Sequence, residues 1–259
     1  MLQVLQSCAP NPPEWIRRCL RSVQQWAQQH GHPHQYIEDQ LFEFLPDELR
    51  SKCLPRHRLI ATDIARLRWC EQALTEGADA VLWLDADTLM LDENWQPPEA
   101  DYAVGREIWV QPKGTGWRSY KKVHNAALLF RRGNAFLPYY RHAAEQIVRA
   151  HQGRHMVPHL VGPKLLTALH NIAAHPVMEE AALLSPWTIQ DWFAGTGPAL
   201  ETFLRDSVAA PALINLCQSS VANGELSDEQ MLQAIGGRDS TTPMRILCAH
   251  NMRRHPLWK

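Results

Sequence analysis

Apolar positions along the first hundred residues switch between two spacings. "LQVLQSCA" is a short apolar run that predicts a strand. In "PPEWIRRCLRSVQQWAQQHG", Trp15, Cys19, Leu20, Val23 and Trp26 recur at the three- and four-residue steps of one helical face. Proline opens that stretch and glycine closes it, as helices prefer. "HQYIEDQLF" predicts a second strand, "RLIATDIARLRWCEQALTEG" a second helix closed by Gly77, and "ADAVLWLDAD" a third strand. Strands alternating with helices imply an α/β fold with a mostly parallel central sheet flanked by helices. A strand covered on both faces explains why "AVLWL" is apolar without alternation.

Past residue 100 the alternation breaks down. "DYAVGREIWVQ" and "KVHNAALLFRRG" predict strands around a loop, "PKGTGWRSYKK". "NAFLPYYRHAAEQIVRAHQG" and "GPKLLTALHNI" predict helices, "RILCAHNM" predicts a late strand, and residues 195–243 carry no assignable period. With 259 residues, 45% of them apolar and 20% charged, the chain is long enough for one large domain over 1–259, with 195–259 set apart as a candidate C-terminal annex. A net charge of −1 supplies no general attraction for nucleic acid, and no nucleic-acid partner is expected. The six cysteines, at 8, 19, 53, 70, 217 and 248, show no CxxC pair or disulfide-framework spacing and read as free thiols. No stretch approaches 18 apolar residues, and the start is broken by Pro10, Pro12, Pro13 and Glu14. A soluble, cytoplasmic protein is expected. The ending "NMRRHPLWK" allows at most peripheral membrane contact.

The chemistry concentrates in "VLWLDADTLML". An unpaired buried carboxylate costs several kcal/mol, so Asp85 and Asp87 must find partners or emerge from the core where they occur. A hard cation, Mg2+ or Mn2+, answers both needs through oxygen ligands, and parallel sheets bind ligands beyond the carboxyl ends of their strands. The plain alternative is that either carboxylate caps the following turn. Upstream, Asp63 and Arg66 in "ATDIARLRW" share a helical face, which by itself is a surface ion pair worth a few tenths of a kcal/mol.

Taken in order, "TDIARLRW", "LWLDADTLML", "HNAALLFRRGNAF" and "VGPKLLTALH" resemble the DXD-containing GT-A glycosyltransferases. The resemblance is to the sugar-binding-region branch related to yeast mannosyltransferases and to bacterial capsular and lipopolysaccharide sugar transferases, and it spans residues 55–170. It implies a single GT-A, Rossmann-like domain and a metal-dependent, retaining hexosyltransferase that uses a nucleotide diphosphate-sugar donor. Carried over residue by residue, Asp63 and Arg66 contact the donor, Asp85 the metal and ribose, and Asp87 the metal. His250 in "LCAHNM" completes the metal site, with His255 the second choice. Asn125 binds donor or acceptor, and Gly162 and Pro163 shape the pocket. The implied acceptor is a saccharide, a lipid-linked glycan or a protein.

Asp191, acidic between the aromatics of "PWTIQDWF", is the candidate catalytic base, with a helix cap as its alternative role. Trp109, Trp117 and Tyr120 flank the expected loop and are placed to stack on a sugar or close over the donor. "HGHPH" and "HMVPH" have metal-like spacing but read as loops. Two other functions compete. A HAD-like phosphatase also ends an apolar strand in D-x-D, but it carries threonine four residues after the first Asp, where this chain has Leu89. The other is a non-catalytic sugar- or nucleotide-binding module on the same fold.

Overall fold

The structure, a computed structural model, describes residues 1–236. Its first half runs β1 (Leu2–Ser7), α1 (Glu14–Gln29), β2 (His34–Ile37), α2 (Asp47–Cys53), α3 (Arg58–Thr75), β3 (Ala80–Leu84) and β4 (Thr88–Met90). Then follow β5 (Tyr102–Lys113), β6 (Gly116–Arg131), α4 (Phe136–Ala150), α5 (Leu165–Ala173), β7 (Val177–Leu184), α6 (Pro186–Ala194), α7 (Pro198–Asp206), β8 (Leu213–Asn215), α8 (Gln218–Ala222) and α9 (Asp228–Gly236).

Two segments differ from their sequence expectation. Only His34–Ile37 of "HQYIEDQLF" pairs as a strand; Asp39–Phe44 winds into a 3-10 helix that drops Leu41 and Phe42 into the core. "PKGTGWRSYKK" is no loop, because β5 and β6 stay paired out to Lys113 and Gly116 across a two-residue turn at 114–115. Gly114, at φ 61°, supplies the positive dihedral such a tight hairpin needs.

The eight strands form one sheet in the order β2-β1-β3-β6-β5-β7-β8-β4. Pairings β1/β2, β1/β3, β5/β7 and β7/β8 are parallel, and β3/β6, β5/β6 and β4/β8 are antiparallel. The α/β class therefore stands, with a sheet that is mixed because β6 enters antiparallel between β3 and β5. The sheet also has to curl. Residues 85–87 alone join β3 to β4 and span at most about 14 Å. The two strands stand five places apart in the sheet, which would be about 24 Å if it lay flat.

Alternation along β3 assigns its two faces. Val81 and Trp83 pack in a cluster with Ile60, Ile64 and Leu67 of α3, whereas Ala80, Leu82 and Leu84 pack with Val23 and Trp26 of α1. A third cluster joins Trp15 and Ile16 of α1 to Ile108 and Val110 of β5, Trp192 of α6, and Leu200 and Phe203 of α7. Among the described residues, no helix is long and apolar enough to cross a membrane.

Candidate functional site

β3 gives way to a turn closed by the Thr88 N–H, which donates to the Asp85 carbonyl at 3.0 Å. Because side chains alternate, Asp85 lies on the same face as Trp83, the face covered by α3. Arg66 meets it there. Its Nη1 donates to Asp85 Oδ1 at 2.8 Å and to the Asn125 carbonyl at 2.7 Å, and Trp83 Nε1 donates to the same Oδ1 at 2.7 Å. Asp63, one turn earlier on α3, lies 3.5 Å from the Arg66 guanidinium and accepts from Asn125 Nδ2 at 2.8 Å. Asp63, Arg66, Asp85 and Asn125 thus converge on one spot.

The cluster has polar capacity to spare. Asp63 Oδ2 and Arg66 Nε are buried without a hydrogen-bond partner, a condition rare for buried polar atoms unless a ligand completes it. Burial pushes the Asp63 carboxyl up, against the opposing pull of Arg66 and the Asn125 hydrogen bond. Gly162 closes the cluster from the far side. A Cβ there would fall 2.4 Å from Asp63 Oδ2 and 2.8 Å from Asn125 Nδ2. The buried Tyr140 hydroxyl pins this turn by donating to the Val161 carbonyl at 2.9 Å. Gly162→Ala should therefore push Asp63 away from Asn125 at a cost of about 1–3 kcal/mol. Urea unfolding should show that loss together with weaker ligand binding.

Asp87 sits apart from Arg66 and is held by the other end of the sheet. Asn215 Nδ2 of β8 donates to its Oδ1, and the Gln218 N–H donates to its Oδ2 at 2.7 Å. Burial first, and the neighbouring Asp85 charge second, push its pKa up to about 6. The Cys217 N–H bonds Asn215 Oδ1 at 2.9 Å, which orients that amide.

Several residues of this site had no sequence signal of their own. Buried Gln6 donates to the Asp85 carbonyl at 3.3 Å and meets His34 Nε2 at 3.0 Å through Oε1. Asn215 lay in the stretch without a readable period. Trp83 alone offered a hint, since a buried indole N–H needs an acceptor close by.

The remaining expectations fall elsewhere. Asp191 Oδ2 accepts from the Ala199 and Leu200 N–H groups at 2.6 and 3.1 Å, which caps the start of α7. Trp109 and Tyr120 face each other across the β5/β6 ribbon and Trp117 packs on the third cluster, so these rings stand on paired strands instead of a flexible loop. His250 and His255 lie outside the described residues. Among the described residues, no group of three His, Cys, Asp or Glu side chains is placed to hold a metal ion.

No protein-family model and no curated protein matches the chain. Solved structures do. A glycosyltransferase involved in the glycosylation of the major capsid of PBCV-1 is similar over 89% of this chain and 98% of its own, at 14% identity and a TM-score of 0.49. The glycosyltransferase GlyE of Streptococcus pneumoniae is similar over 97% of this chain and 64% of its own, at 12% identity and a TM-score of 0.43. A mannose-1-phosphate geranyltransferase from Thermus thermophilus covers 58% of this chain and 65% of its own, at 12% identity and a TM-score of 0.29.

His124, next to Asn125, gives this region an acid limit. Burial pushes its pKa from the usual 6.5 down to about 4. With the folded value below the unfolded one, its contribution is complete above pH 6.5 and is lost as pH falls toward 4. The stability advantage of wild type over His124→Gln should shrink by about 3 kcal/mol between pH 7 and pH 4. Urea unfolding of both proteins at the two pH values measures that difference, and the other titrating groups largely cancel.

Proposed function

We propose that this protein is a metal-dependent glycosyltransferase that moves a hexose from a nucleotide diphosphate-sugar to a saccharide, lipid-linked glycan or protein acceptor. The observation that carries the reading is the junction after β3. Asp85 stands there against a buried Asp63–Arg66–Asn125 cluster whose Asp63 Oδ2 and Arg66 Nε still lack partners, and Asp87 follows two residues on. Asp63 offers an acceptor for a ligand hydroxyl, and Arg66 a donor and positive charge for a phosphate.

The carboxylates suit a hard cation. Asp85 uses Oδ1 for Arg66 and Trp83 while its side chain is 28% exposed, and the pKa of Asp87 is raised by burial first and by the Asp85 charge second, a repulsion that a cation would relieve. Mn2+ or Mg2+ would be held by Asp85 and Asp87, with His250 as the expected third ligand, and when bound supplies charge stabilisation for the leaving diphosphate. Arg66 adds to that stabilisation from the protein side. The retaining outcome belongs to the same proposal and rests on the sequence resemblance. A cytoplasmic setting is supported by Cys8, Cys19, Cys53, Cys70 and Cys217, which are all free.

The test is calorimetric titration with a panel of nucleoside diphosphates and nucleotide sugars, in Mn2+ and then in EDTA. The proposal expects one nucleotide to bind in Mn2+ and to lose affinity in EDTA. Absence of binding by every member of the panel overturns it.

A further inference from the structure

β5 runs between β6 and β7, and its register slips on both sides at one residue. Toward β6, Val104 pairs with Leu128 but Gly105 pairs with His124, so residues 125–127 are extra. Toward β7, Gly105 pairs with Met178 but Arg106 pairs with Ala182, so residues 179–181 are extra. Such bulges strip backbone groups of their ladder partners. The His124 ring bridges the two. Its Nδ1 accepts from the Ala126 N–H at 3.0 Å, and its Nε2 donates to the Ala181 carbonyl at 3.1 Å. Gly105 makes the room, since a Cβ there would lie 2.3 Å from both Cε1 and Nε2 of the ring.

Each bulge serves one of the two carboxylates. The β6 bulge presents the Asn125 amide to Asp63, the Asn125 carbonyl to Arg66, and the Ala126 carbonyl to the Asp85 N–H at 2.8 Å. The β7 bulge carries Ala181, which pairs with Leu213 of β8, and two residues on Leu183 pairs with Asn215, which holds Asp87. We propose that His124 is a positioning residue: its imidazole, seated on Gly105, locks the two bulges together and so sets the relative placement of Asp85 and Asp87. The chemistry explains the choice of side chain. The bridging group must accept from one backbone N–H, donate to one carbonyl and stay uncharged while buried. A neutral imidazole does all three on a rigid ring, whereas lysine and arginine cannot accept and an ionised carboxylate cannot donate.

The test combines the indole resonance of Trp83, which reports Asp85 directly, with nucleoside diphosphate affinity in Mn2+. The affinity arm rests on the proposed donor site; the indole arm does not. His124→Leu should move the Trp83 indole N–H resonance and weaken binding tenfold or more. His124→Gln, whose amide carries both a donor and an acceptor, should recover part of each. Gly105→Ala should reproduce the Leu phenotype with His124 still present. A core truncation remote from the bulges, Phe203→Leu, should lower stability while moving neither readout. An unmoved Trp83 resonance in a folded His124→Leu or Gly105→Ala protein overturns the proposal. So does a wild-type nitrogen-15 histidine spectrum that puts the His124 proton on Nδ1. If wild type binds no nucleoside diphosphate, the donor reading fails, and the indole resonance and the tautomer still decide the positioning role.

Discussion

Arg66→Met should lower folding stability by about 3–5 kcal/mol, the scale expected when one partner of a buried ion pair is removed. Arg66 is 5% exposed and is the cation shared by Asp63 and Asp85. It also donates to the Asn125 carbonyl and lies 5.0 Å over the Trp83 ring. Methionine keeps the apolar stem and removes the charge. Asp63 then stays buried with only the Asn125 hydrogen bond, and its pKa, already raised by burial, rises further. A raised folded pKa gives stability that is present at low pH and lost as pH rises through it. The deficit of Arg66→Met should consequently be larger at pH 8 than at pH 5, as urea unfolding at both values would show. Adding Asp63→Asn should restore part of the loss at pH 8, because the stranded charge is then gone. Equal deficits at the two pH values would mean that Asp63 is not the group left uncompensated.

Asp85→Asn should act the other way round, with a small effect on stability and a large one on binding. The Asn side-chain oxygen can still accept from Arg66 and Trp83, and the site is part-exposed, so folding should lose about 1 kcal/mol or less. A hard cation, however, loses an anionic oxygen ligand. Metal-dependent nucleotide affinity should drop about 100-fold, or roughly 3 kcal/mol, as measured by calorimetry in Mn2+. Asp87 supplies an internal check. Since the Asp85 charge is the second cause of its raised pKa, Asp85→Asn should bring that pKa down, an effect visible by carboxyl-carbon NMR titration. Asp87→Ala is the less clean variant, because it also strands the Asn215 amide and the Gln218 N–H.

Much of this site is legible in the sequence. The three-residue step from Asp63 to Arg66 places both on one face of α3, and the two-residue step from Trp83 to Asp85 places both on the face of β3 that α3 covers. These are local facts, because helix and strand periods are set within a few residues by backbone geometry. The flanking apolar runs similarly marked β3, α1 and α3. The extent of the β5/β6 ribbon was less readable, since its outer half is polar and solvated and carries no clean alternation.

What the sequence by itself determined, then, is where β1, α1, α3, β3, α4 and α5 lie, which face of α1 is apolar, and that two carboxylates end an apolar strand. Tertiary structure decided what those carboxylates meet. Asn215 reaches Asp87 from 128 positions away, Gly105 owes its importance to an imidazole across the sheet, and the closing of the sheet's far edge on its centre depends on every strand between. Register and long-range pairing depend on chain segments that no local period connects, so they exist only once the loops have closed and the side chains have packed.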